Sequence, residues 1–159
     1  MSTIRIIEAA DPLDDHLEQF KQYASVPDDS RDGMLLRILK RAMLAVQESA
    51  DTAVLPCVLE LTAHDVKAGE ALRLYQGGAA VESVTDGQGN ALAFRAECDR
   101  VVLEESAPTV VVTYSNEVSV PDADLLQPVC WELATAIYDG EDASVQAGIL
   151  KKTDRKSVV

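Results

Sequence analysis

The sequence predicts an α+β fold: a helical bundle of about three helices with an antiparallel β-module inserted between the second and third. Three observations predict it. Apolar residues recur at helical spacing over about 12–25, 30–50 and 122–140. Between the last two stretches, over about 52–115, the period shortens to that of strands, broken by glycine turns. The 159 residues are 47% hydrophobic and 26% charged, an ordinary globular balance that supports a core. Aromatics are only 4%, so that core must be aliphatic.

The first helix follows Asp11-Pro12, where Asp11 can cap and Pro12 suits the first helical position, its missing N–H being unpaired there anyway. Leu13, Leu17, Phe20 and Ala24 share a face, and Val26-Pro27 ends the helix because the residue before proline avoids the α region. Asp28, Asp29, Ser30 and Asp32 put acceptors at the next helix start. Met34, Leu35, Ile38, Leu39, Ala42 and Val46 carry the longest helix, on which Arg37, Lys40 and Arg41 share a face.

Six strand signals follow, over 53–61, 71–75, 80–85, 91–95, 100–104 and 109–114. Gly77-Gly78 and Asp86-Gly87-Gln88-Gly89 read as turns, glycine supplying positive φ without a Cβ clash. Tight turns between neighbouring strands imply antiparallel pairing. The third helix runs from about 122, capped by Asp122 or Asp124, with Leu126, Cys130, Leu133 and Ile137 on one stripe. Pro128 bends it if it starts there, or opens it if Gln127 caps. Trp131 and Tyr138, seven apart, mark a second packing face. Residues 143–159 form an extended or helical C-terminal tail beyond a single domain spanning 1–142.

The net charge is −13, which disfavours sequence-specific nucleic-acid binding and anionic membranes. The charge is uneven. Residues 151–159 carry Lys151, Lys152, Arg155 and Lys156 against Asp154, a net +3, leaving −16 on the rest. Such a basic tail suits docking. Cys57, Cys98 and Cys130 are far apart, with no C-x-x-C pair and no paired histidines, so neither a zinc site nor a disulfide framework is expected. The N-terminal stretch lacks a signal-peptide h-region, and no apolar run is long enough to span a membrane.

No catalytic constellation emerges, and no cofactor is expected. His16 falls on the polar face of the first helix, and His64-Asp65 in a turn with no nucleophile beside it. Adjacent carboxylates such as Asp14-Asp15 and Glu104-Glu105 diverge and lack a calcium-loop pattern. The glycine turns lack the Lys-Ser/Thr of a phosphate cradle.

The pattern resembles the head–tail connector (adaptor, or head-completion) proteins of tailed bacteriophages. The resemblance lies in Leu17 through Phe20 and the acidic loop Val26–Asp32, and in the long helix ending at Ala45–Ala50. It continues through Leu72–Tyr75, Val81–Gly87 and Val110–Tyr114, and then Val120-Pro121 with Leu133–Asp142. It covers about residues 13–142. Many members carry Arg near the end of the last helix, where this chain has Gly140-Glu141-Asp142, and the basic tail runs past the usual stop. The resemblance implies a non-enzymatic virion protein, assembled in the host bacterial cytoplasm. It implies a homo-oligomeric ring, commonly of twelve subunits, at the neck beneath the portal, bound also to a tail-side completion or stopper protein. DNA would pass through the ring without sequence-specific binding. On that reading Lys151, Lys152, Arg155 and Lys156 dock on the portal, and Arg37, Lys40 and Arg41 face a neighbouring subunit. The competing reading from charge alone is a small acidic regulatory or DNA-mimic protein that binds a nucleic-acid enzyme.

Overall fold

Strand β2 (Cys57–Val66) organises the β part of the chain. It pairs antiparallel with β1 (Ser2–Ala9) on one side and β7 (Ala107–Asn116) on the other, and β4 (Gly78–Asp86) completes a four-stranded sheet in the order β1-β2-β7-β4. A second antiparallel sheet has the order β3-β6-β5, from β3 (Ala71–Arg73), β5 (Phe94–Glu97) and β6 (Arg100–Leu103). These features come from a computed structural model that describes residues 2–153. All six strands expected between the second and third helices are present, so the β-module lies where the periodicity puts it.

Among the described residues four helices make up the rest: α1 (Asp14–Ala24), α2 (Asp32–Ala50), α3 (Val120–Tyr138) and α4 (Ala143–Leu150). The described residues divide into a β unit, residues 2–9 with 56–117, and a helical unit, residues 10–55 with 118–153. β1 was not expected. Its eight residues join the β unit from ahead of α1, so that unit is not made of the insertion alone.

Alternation builds the large sheet. Along β2 Cys57, Leu59, Leu61 and Ala63 are buried, and along β7 Val110, Val112 and Tyr114 are fully buried. Burying each such Leu or Val contributes about 1.5–3 kcal/mol. The opposite face is half-exposed, with Thr62 opposite Val111 and Glu60 opposite Thr113. Two expectations about β2 fail. The strand begins after Pro56 rather than at Ala53, and it runs through His64 instead of turning there. Thr52–Pro56 bends because Gln47, fully buried on α2, accepts the N–H groups of Val54 and Leu55 at 2.9 and 3.0 Å. His64 stays in the strand with Nδ1 3.3 Å from the Thr109 hydroxyl, and the irregularity falls on Asp65, at φ 54°.

The turns have physical causes. Asp86 Oδ1 accepts the N–H groups of Gln88 and Asn90, and Gly89 takes φ 86°. Gln76 and Gly77 both take positive φ, and Gly78 opens β4. A Cβ on Gly78 would lie 2.5 Å from Leu74 Cβ and 2.7 Å from the Tyr114 ring, so only glycine fits. Tyr114 is itself pinned, its hydroxyl donating to the Tyr75 carbonyl at 3.1 Å.

In the helical unit α1 starts at Asp14, not at Pro12. Asp11 is occupied with Lys40 Nζ at 2.9 Å, and the Leu13 N–H is accepted by His16 Nδ1 at 3.4 Å. α3 starts at Val120, two residues earlier than expected, with Pro121 in its first turn and Pro128 inside it. Its burial is wider than one stripe: Val129, Trp131, Ala134 and Ala136 are buried beside Leu126, Cys130 and Leu133, because α1, α2 and α4 all contact it. The expected tail begins as α4, capped by Asp142 Oδ1 on the Val145 N–H at 3.0 Å. Backbone and side-chain hydrogen bonds to the Asp142 carboxylate hold its pKa below the ordinary value.

Gly78→Ala is expected to lose about 1–3 kcal/mol in urea unfolding through overpacking. Gly87→Ala, whose Cβ would meet Thr109 at an ordinary 3.4 Å, is expected to stay near wild type. Gln47→Leu orphans two backbone donors and is expected to lose about 1–3 kcal/mol for each, read as a lowered denaturant midpoint at unchanged slope.

Candidate interaction surfaces

Chemistry-bearing residues do not converge. Among the described residues no three His, Cys, Asp or Glu side chains gather as metal ligands. Cys57 and Cys130 are buried and Cys98 is exposed, each a free thiol; burial pushes the Cys130 thiol up to about 12, away from the reactive thiolate. The functional information lies in how the charges are distributed.

Lys21 is the most constrained charge. It occupies a core-facing position one turn after Leu17, and its side chain is only 6% exposed. Nζ lies 2.5 Å from Asp29 and 2.8 Å from Asp32. Hydrogen bonding to Asp29 first, then to Asp32, holds the ammonium well above the ordinary lysine range. The three residues tie the end of α1 to the start of α2. Lys21 and Asp29 also wall a shallow depression of about 450 Å³ with Glu18, Ser25 and Pro27. Its one cation is neutralised twice over, which disfavours an anion there.

His16 is half-buried, where solvation on the polar face was expected. Its ring sits against Trp131, centroids 6.1 Å apart, and Trp131 also stacks on Phe20 at 6.3 Å. Trp131 therefore packs within its own unit, and Tyr138 receives a hydrogen bond from Arg31 at 2.6 Å. Burial lowers the His16 pKa, while the carboxylates of Asp15 and Asp124 pull the other way.

The expected basic face separates into two kinds of residue. Lys40 is drawn aside into its ion pair with Asp11. Arg37 and Arg41 stay exposed, and among the described residues neither enters an ion pair. In the tail, Lys152 Nζ meets Glu132 Oε1 on α3 at 2.6 Å. Thr153 is fully buried, its hydroxyl 2.8 Å from that of Ser49. The chain thus stays seated on its own helices through Thr153. Lys151 is exposed, and Arg155 and Lys156 lie outside the described residues. The Lys21 clamp escaped the sequence reading, although a lysine between Leu17 and Ala24 on an apolar face is a visible signal.

No family model matches the sequence, and no curated protein matches it. Two solved structures contain similar chains. One is the neck of an empty gene transfer agent particle computed with C6 symmetry, where the chain is 17% identical with a TM-score of 0.59. The other is the virion of a native gene transfer agent particle, 19% identical with a TM-score of 0.61. Each match covers 86% of this chain and 84% of the other. The fold is one that occurs in a particle neck. The likeness spans most of both chains, so it is a likeness of the whole helix–β–helix arrangement.

Two measurements check these assignments. Lys21→Met is expected to lower the thermal midpoint clearly more than Lys40→Met, since Lys40 is paired in a more exposed setting. His16 has a folded pKa below its unfolded value of 6.5, so its contribution is complete above that pH and is lost as pH falls through it. Unfolding free energy is expected to fall as pH drops below about 6.5, and His16→Gln is expected to flatten that slope.

Proposed function

We propose that this chain is a structural neck protein of a tailed-phage-like particle: a head–tail connector (adaptor) subunit without enzymatic activity. It forms a ring beneath the portal, extends the DNA channel and joins the capsid to the tail. The observation that carries this reading is the likeness of fold, over 86% of the chain, to chains of gene transfer agent particles, one of them in a neck structure. The charge distribution supports it. A surface of net −13 repels duplex phosphates, so a genome could slide past without sticking.

The residue assignments follow from this reading. Lys151, Arg155 and Lys156 dock on an acidic portal surface. Lys152 contributes less to docking, because Glu132 already holds it. Arg37 and Arg41 face a neighbouring subunit, with Lys40 diverted to Asp11. The protein assembles in the bacterial cytoplasm, ends in the virion neck, and meets a tail-side completion or stopper protein on its far side.

The test is assembly on purified portal, followed by native mass measurement and electron microscopy. The expected product is a portal capped by a closed ring of this chain, with capture weakened by high salt and by Arg155→Gln/Lys156→Gln. A chain that never binds the portal and never enters particles refutes the reading.

A further inference from the structure

Two faces of the helical unit carry opposite charges. The first is on α2. Arg37 and Arg41 are one turn apart and about half a turn round the helix from buried Leu39, so both point away from the core. Met34, 39% exposed, lies one turn before Arg37 on the same stripe. The second is on α1, to one side of the buried face of Leu17, Phe20 and Lys21. Asp14, Asp15 and Glu18 are exposed there, and among the described residues none of the three enters an ion pair.

We propose that the α1 face of one copy docks on the α2 stripe of a second copy. The argument for this occupant is charge complementarity. Two chains of net −13 repel over most of their surfaces, so an approach between copies is attractive only where unpaired cations are displayed. The α2 stripe displays two, four residues apart. The α1 face supplies three carboxylates that enter no ion pair among the described residues, and on α2 the exposed Met34 lies beside the arginines. The two faces are different patches of one chain. The contact is therefore heterologous, and its repetition closes a ring or runs on as a filament. The contact deepens the neck reading, on which it rests for closure of the ring, but the attraction between copies is a property of the chain alone.

Sedimentation equilibrium on the full chain tests it. Wild type is expected to self-associate reversibly, more weakly as salt rises. Arg37→Glu/Arg41→Glu and Asp15→Lys/Glu18→Lys are each expected to weaken association at least tenfold, since each swap juxtaposes like charges. An equimolar mixture of the two variants is expected to regain association, which also establishes that both are folded. A wild type still monomeric at about 1 mM, an association indifferent to both swaps, or a mixture that stays apart overturns the proposal. Duplex DNA binding that Arg37→Glu/Arg41→Glu abolishes, without self-association, also overturns it. The neck reading fails separately: copies that associate through these faces but ignore the portal refute that reading and leave this contact standing, and a portal-bound ring that survives both swaps does the reverse.

Discussion

The pairing of β2 with β7 is the constraint on which the rest of the architecture depends. Forty residues separate the two strands, and their register sets Val58 opposite Ser115. That register brings the start and the end of the inserted segment to one end of one sheet. Asn116 fastens the junction, its side-chain oxygen accepting the Cys57 N–H at 2.7 Å and its amide donating to the Gln76 carbonyl. A chain that leaves one helix and returns to another can accept a sixty-residue module only if the two ends of the module meet. Here one strand pair and one asparagine bring them together.

The helical unit has its own counterpart. Gln47 and Lys21 are both buried polar groups, and each is matched: the amide oxygen by two backbone donors, the ammonium by two carboxylates. An apolar residue in place of Gln47 would leave two buried backbone donors unsatisfied, and one in place of Lys21 would leave the Asp29 and Asp32 carboxylates without their cation. These two residues fix the ends of α2, Lys21 at its start and Gln47 at its exit. The helix that carries the outward arginine stripe is therefore held at both termini.

The elements legible in the sequence are those with strong period. The three long helices and six internal strands all follow from spacing, because each buries one regular face. β1 was not legible: at the sheet edge Ile4 and Ile6 are only half-buried and Ile7 is exposed, so no clean alternation marks it. The start of α1 was missed because Asp11, a good cap by type, is claimed by Lys40, 29 residues away. The basic face was legible as a spacing of three and four residues. Which of its members remain free was not, since pairing is decided by contacts distant in sequence. The tail read as separate from the domain because α4 buries only Ile149, while the side chains that seat it, Ser49 and Glu132, lie on other helices.

The fact that β1 precedes α1 carries an evolutionary consequence. An insertion confined to residues between two helices could be gained, lost or lengthened in one genetic step. This sheet instead draws its edge strand from the start of the chain, paired with β2 from Ser2–Ala63 to Ala9–Cys57. A deletion of the segment after Leu55 would strand β1 with no neighbour, and a trimmed N-terminus would expose the long flank of β2. The two stretches are tied by that pairing, so a change of length in either one is felt by the other.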